Sequence, residues 1–269
     1  MLSRVKKLSR RAKKKYVQSE WNVPEQSDKT GRPMTSPGVY NVDLNKIATQ
    51  VSLDVTSIPE AVSMARGAVR AGIDWLEAGT PLILAEGVRS VQALRKEFPN
   101  HPIVADLKTM DGGGLEAEMM FDAGATFVVV MSQAHWATVK EVVAASRKKR
   151  GKAMADVLNA TDKVKAAEHM EELGVDYVIA HLGFDERRHV TGLSALDNLE
   201  EIVEAVNIPV QAVGGLSIEQ AIESLRLGAK SIVIGAPLAI AADRFATTEE
   251  FEGILREVVN RVAGFKGER

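Results

Sequence analysis

The sequence predicts a single (β/α)8 TIM barrel preceded by a basic N-terminal extension. From about Gln50 onward, short apolar runs rich in Val and Ile alternate eight times with stretches of helical periodicity, each pair about one βα unit long. Those runs are continuous rather than alternating, as expected of parallel strands covered on both faces. Eight regular units without a break favour closure over an open, doubly wound sheet.

The units follow in order. QVSLDV (50–55) precedes the helical PEAVSMARGAVRAG, WLEAG (75–79) precedes GVRSVQALRKEF, and PIVADLK (102–108) precedes LEAEMMFDAG. TFVVVMS (126–132) leads to WATVKEVVAASRKK, KAMADVL (152–158) to KVKAAEHMEELG, and DYVIAHL (176–182) to SALDNLEEIVEAV. IPVQAVGG (208–215) with IEQAIESLRLG and KSIVIGA (230–236) with TEEFEGILREVVNRV close the series. Helices that end at Gly before the next strand, as in ELGVDYV and RLGAKSI, carry a C-terminal cap signal.

Composition narrows the class. With 269 residues, 45% hydrophobic and 26% charged, the chain has the make-up of a globular protein able to bury a large core. No apolar run approaches the roughly 18–20 residues of a membrane span. Cysteine is absent, which excludes disulfides, thiolate metal sites and cysteine nucleophiles and agrees with the reducing cytoplasm, the expected location. Residues 1–20 hold eight Lys or Arg against the single acid Glu20, with no apolar segment of a secretory signal behind them. This basic start reads as a solvated extension, or as a short amphipathic helix through Leu2, Val5, Leu8 and Tyr16 able to touch anionic lipid or RNA. Pro, Gly and Ser then dominate to about Asp43, so residues 1–45 are expected to be extension and linker and 46–269 the catalytic barrel. No membrane partner is expected, and no nucleic acid except through residues 1–20.

Barrels of this type place their active sites at the C-terminal ends of the strands. The polar residues expected there are Asp54, Glu77, Asp106, Lys108, Asp156 and His181, each interrupting an apolar run. Any one alone reads equally well as an ion pair at the rim, but six at equivalent strand ends point to a site. Asp106 and Lys108 are two apart on a strand and are expected to share its inner face. Convergent carboxylates without Cys and with few His suit a hard divalent ion such as Mg2+. His181 is a candidate acid or base. After the seventh and eighth strands, Gly214, Gly215, Gly235 and Ala236 put small residues before helix starts, where backbone N–H groups cradle phosphate. The residues thus point to an enzyme acting on a small phosphorylated substrate.

The run Asp106-Leu-Lys108-Thr-Met-Asp111 resembles the D-x-K-x-x-D signature of the orotidine 5′-monophosphate decarboxylase superfamily. Together with LEAGTPLI, MADVL, AHLGFDER and AVGGL, it is similar to the 3-hexulose-6-phosphate synthase family over roughly Gln50–Val262. That resemblance implies a Mg2+-dependent, reversible aldol condensation of formaldehyde with D-ribulose 5-phosphate through an enediolate. It implies Glu77 and Asp106 as metal ligands, Lys108 as the charge beside them, His181 as proton carrier, and Asp54 and Asp156 as orienting groups. It further implies a homodimer in which Asp111 serves the neighbouring site. The alternative within the superfamily is 3-keto-L-gulonate 6-phosphate decarboxylase, which carries Arg where this chain has Phe184 and Glu where it has Asp156. The resemblance also implies an arginine after the last strand, where this chain has Ala236.

Overall fold

The computed structural model describes residues 42–236 and 248–267. Its strands are β1 (Ala48–Leu53), β2 (Trp75–Ala78), β3 (Ile103–Thr109), β4 (Phe127–Met131), β5 (Lys152–Asp156), β6 (Tyr177–His181), β7 (Val210–Val213) and β8 (Ser231–Ala236). They pair in parallel and in sequence order, and β8 closes onto β1. The expected (β/α)8 barrel is therefore observed. The basic segment 1–20 and its candidate helix lie outside the described residues. Among the described residues, no helix is long and apolar enough to cross a membrane.

Ten helices are described: α1 (Ile58–Ala71), α2 (Thr80–Glu86), α3 (Arg89–Glu97), α4 (Gly113–Asp122), α5 (Trp136–Lys149), α6 (Lys163–Leu173), α7 (Phe184–His189), α8 (Leu199–Ala205), α9 (Ile218–Arg226) and α10 (Thr248–Gly267). Local chemistry sets their ends. α1 starts with Pro in its first turn and stops at Gly72 in the left-handed conformation, while Ala61, Ala65 and Ala68 bury one stripe against the barrel. α9 opens with a capping box, Ser217 accepting from Gln220 N–H and the Gln220 side chain accepting from Ser217 N–H. Gly174 ends α6 in the left-handed region, as ELGVDYV predicts.

Several expected boundaries are corrected. β1 begins and ends two residues before QVSLDV (50–55), and Asp54 directly follows it, as expected of a residue after the first strand. The β2–β3 connection holds two helices where one was expected, because α2 is only seven residues long, too short to show a helical period. The β6–β7 connection likewise contains the short α7 ahead of α8.

Alternate residues of each strand fill the barrel. Ala48, Trp75, Val104, Phe127, Val129, Met154, Tyr177 and Ile179 form the inner core, separate from the core between strands and helices. Trp75 stacks against Phe127 at 4.7 Å and meets Tyr177 edge-on at 5.9 Å. The Tyr177 hydroxyl is buried without a hydrogen-bond partner among the described residues, and burial raises its ionisation above the ordinary tyrosine range. One step further along the same inner faces, Trp75 gives way to Glu77, Val104 to Asp106, Met154 to Asp156 and Ile179 to His181. The inner packing thus turns from apolar to charged toward the C-terminal mouth.

Phe127 has no exposed surface and anchors the aromatic layer. Phe127→Ala is expected to cost about 3–5 kcal/mol and to lower Tm by roughly 10 °C. A thermal melt checks it; an unchanged Tm would show that the layer is not part of the stabilising core.

Candidate active site

A cavity of about 350 Å3 opens at the C-terminal ends of the strands. Asp54, Glu77, Asp106, Lys108, His181, Gly214, Gly215 and Gly235 all line it. Asp156 lies beneath, 1% exposed, and joins the cavity through its partners. Ala236 ends β8. Asp111 is exposed, two residues beyond the end of β3, and does not line the cavity of its own barrel.

Lys108 is the centre of the charge arrangement. Its Nζ donates to Asp106 Oδ2 at 2.5 Å and stands 3.8 Å from Asp156 Oδ2. Simple strand alternation does not bring it there, which corrects the expected reason for its position. The β3–β4 pairing runs in register to Ala105 and resumes only at Thr109, and between them Lys108 has φ 50°. That left-handed conformation is costly for a residue with a Cβ and is upheld by the surrounding contacts. Burial opposes the Lys108 charge, but Asp106 and Asp156 outweigh it and raise its ionisation above the usual lysine range.

Asp156 is fully partnered. One carboxylate oxygen accepts from Leu158 N–H at 2.8 Å, and the other meets His181 Nδ1 at 2.8 Å. Burial works against its ionisation, yet His181 and then Lys108 hold its pKa below the ordinary range. Since Nδ1 faces Asp156, Nε2 is the His181 nitrogen left for a substrate. Lys163 Nζ donates to the His181 carbonyl at 2.8 Å, fixing the end of β6.

The acids on β1 and β2 are held differently. Ser52 Oγ lies 2.7 Å from Glu77 Oε1 and 3.0 Å from Asp54 Oδ1. Gln50 donates to the other Glu77 oxygen and accepts from Gln211 Nε2 at 2.9 Å, which also reaches Ser231. Thr80 Oγ1 donates to Asp106 Oδ2 at 2.8 Å. Burial, followed by the charges of Asp106 and Asp54, pushes the Glu77 carboxyl up to about 8. Burial, opposed by the Ser52 hydrogen bond and reinforced by Asp106, pushes Asp54 up to about 6. Gly79 makes room here, since a Cβ on it would strike the Asp54 carboxylate. The sequence reading missed Gln50, Ser52, Thr80, Gln211 and Ser231. Their signal was present, because Gln50 and Ser52 are polar at alternate positions of an otherwise apolar strand.

Among the described residues, no three His, Asp or Glu side chains surround a common metal position. Glu77 and Asp106 nevertheless fit a hard cation that keeps most of its waters, as Mg2+ does. The observation is electrostatic: burial, and after it the repulsion of neighbouring carboxylates, raises Glu77 and Asp54, and a divalent charge would relieve both.

Residues 48–251 match the orotidine 5′-phosphate decarboxylase / HUMPS family. The chain is 31% identical over 207 residues to the 3-hexulose-6-phosphate synthase of Bacillus subtilis (strain 168), covering 77% of this chain and 97% of that one. It is 33% identical over 209 residues to the synthase of Methylomonas aminofaciens, covering 77% and 99%. A crystal structure of a 3-hexulose-6-phosphate synthase superimposes with a TM-score of 0.69 at 32% identity, over 77% of this chain and 99% of the other. Barrel, acid–lysine–acid cluster and sequence agree that this chain belongs to the orotidine 5′-phosphate decarboxylase / HUMPS family, in the company of its 3-hexulose-6-phosphate synthases.

Proposed function

We propose that the chain is a 3-hexulose-6-phosphate synthase, an aldehyde-lyase that reversibly condenses formaldehyde with D-ribulose 5-phosphate to D-arabino-3-hexulose 6-phosphate. The observation that carries this reading is Lys108 held between Asp106 and Asp156, with Asp156 also orienting His181, in a cavity bordered by Gly214, Gly215 and Gly235. Its relatives of that name align over nearly their full length. The expected division into an extension, 1–45, and a catalytic barrel, 46–269, belongs to the same reading.

The reaction needs a proton removed from C1 of the ketose phosphate, a new bond from C1 to the formaldehyde carbon, and a proton delivered to the resulting alkoxide. His181 Nε2, with Nδ1 engaged by Asp156, takes the first proton and returns one to the alkoxide. Lys108 Nζ, kept charged by its two carboxylates, sits beside the oxygen on which negative charge develops. Asp54, whose carboxyl burial pushes up to about 6, hydrogen-bonds the substrate hydroxyls. Glu77 and Asp106 would hold Mg2+, which would supply the Lewis-acid charge that makes a carbon next to a carbonyl acidic. Phe184 lines the cavity at the position where the family resemblance implies an arginine in the keto-gulonate decarboxylases. An apolar ring offers a carboxylate substrate no charged donor, which supports the synthase over the decarboxylase.

Asp111 serves a second subunit's site in this reading. Met110, Leu115, Met119 and Trp136 leave large apolar side chains exposed on the same β3–α4 turn and on α4 and α5, which pack together. Such a surface is suited to a homodimer interface.

Purified protein mixed with formaldehyde, ribulose 5-phosphate and Mg2+ is expected to consume formaldehyde. Lys108→Ala is expected to lower kcat/KM by about a thousandfold or more. Formaldehyde that persists with the wild type would refute the synthase; release of CO2 from 3-keto-L-gulonate 6-phosphate would favour the decarboxylase. Chelation with EDTA is expected to abolish turnover, and added Mg2+ to restore it. Activity that survives exhaustive chelation would remove the metal from the scheme.

The shared site predicts complementation. Asp111→Ala and Lys108→Ala are each inactive as homodimers. Refolded together, they form heterodimers with one intact site, so about a quarter of wild-type activity returns. No recovery, or a monomer by sedimentation, would place Asp111 outside catalysis.

A further inference from the structure

The turn after β6 holds a cation that the scheme above leaves unused. Arg187, in α7, lines the same cavity as Lys108, His181, Gly214 and Gly215. Its guanidinium fills the volume that a side chain at position 215 would occupy, because a Cβ on Gly215 would collide with Arg187 Nη1. Gly214 and Gly215 have φ 137° and 68°, so the backbone of the β7–α9 turn is bare where the guanidinium lies against it. A glycine turn offers backbone N–H groups, and a guanidinium adds a planar fork of charged donors. Together they have the chemistry that recognises a phosphate monoester.

Other observations fit that use. Arg187 is steadied by Phe184, with its guanidinium carbon 5.3 Å from the centroid of a ring that Arg188 also meets at 5.2 Å. An ordered guanidinium loses less freedom on capturing an anion. Burial holds its pKa below the usual arginine value, as expected of a cation partly removed from water. Lys108 and Arg187 are the Lys and Arg side chains that line the cavity among the described residues.

We propose that Arg187, on α7, is the phosphate-binding cation of this enzyme, taking at the Gly214–Gly215 turn the place of the arginine that the family resemblance implies after β8, where this chain has Ala236. The proposal rests on the substrate being a sugar phosphate. It also gives Phe184 a role: the ring occupying the decarboxylase arginine's position is the platform that aims Arg187.

The test compares the full chain with Arg187→Gln, Arg187→Lys and Phe184→Leu, using inorganic phosphate and ribulose 5-phosphate as calorimetric titrants. Arg187→Gln is expected to weaken both ligands by about tenfold or more and to raise KM for ribulose 5-phosphate but not for formaldehyde. Arg187→Lys, which keeps the charge and loses the fork, recovers part of the loss. Phe184→Leu, which keeps the guanidinium and removes its platform, weakens inorganic phosphate by a smaller factor. Wild-type phosphate affinity in a natively folded Arg187→Gln overturns the proposal. If that variant does not fold, unchanged phosphate affinity in Phe184→Leu overturns it. A chain that binds phosphate through Arg187 yet consumes no formaldehyde refutes the synthase alone. Formaldehyde fixation with an unchanged KM for ribulose 5-phosphate in Arg187→Gln refutes this assignment alone.

Discussion

The ammonium of Lys108 is the interaction on which the rest of the mouth depends. Four carboxylates, from Asp54, Glu77, Asp106 and Asp156, converge where the barrel excludes much of the solvent. Without a cation among them, like charges so placed would not ionise together. Lys108 meets two of the four at 2.5 and 3.8 Å. The chain accepts a break in the β3–β4 register and a left-handed lysine to keep it there. Strain of this kind costs about 1–3 kcal/mol and persists only where neighbouring contacts over-determine the conformation.

The filling of the barrel prepares that cluster. A stacked aromatic layer of Trp75, Phe127 and Tyr177 excludes water from the lower interior. Gln50, Gln211 and Ser231 form a buried hydrogen-bonded chain that ends on Glu77. Each amide therefore meets a partner instead of an apolar wall, and Glu77 gains a fixed orientation without an added charge. The two carboxylates left most uncomfortable by burial and repulsion, Glu77 and Asp54, are the ones that an arriving cation or hydroxyl would relieve.

Chemistry is divided around the circumference. The acids and the lysine come from β1, β2, β3 and β5, while the glycine-lined side comes from β7 and β8, next to the turn that carries Arg187. His181 on β6 stands between the two groups, tied to Asp156. A phosphorylated substrate spanning the cavity would thus present one end to donors and the other to the acid–lysine cluster. Anion binding and carbon chemistry would be kept apart by the barrel's own geometry.

Much of this was legible in the residues. Eight continuous apolar runs, each followed by a helical period, determined the closed barrel, because parallel strands buried on both faces cannot tolerate polar alternation. The polar residues that interrupt those runs determined the candidates Asp54, Glu77, Asp106, Lys108, Asp156 and His181, because charge is tolerated in such strands only at their solvent-facing ends. Folding alone decided how they act together. The left-handed turn at Lys108, the Asp156–His181 contact across two strands and the approach of Arg187 to Gly215 depend on register and on the path of the β6–β7 connection. The sequence carries periodicity within one element, whereas a contact between elements is set by how far each strand is displaced against the next.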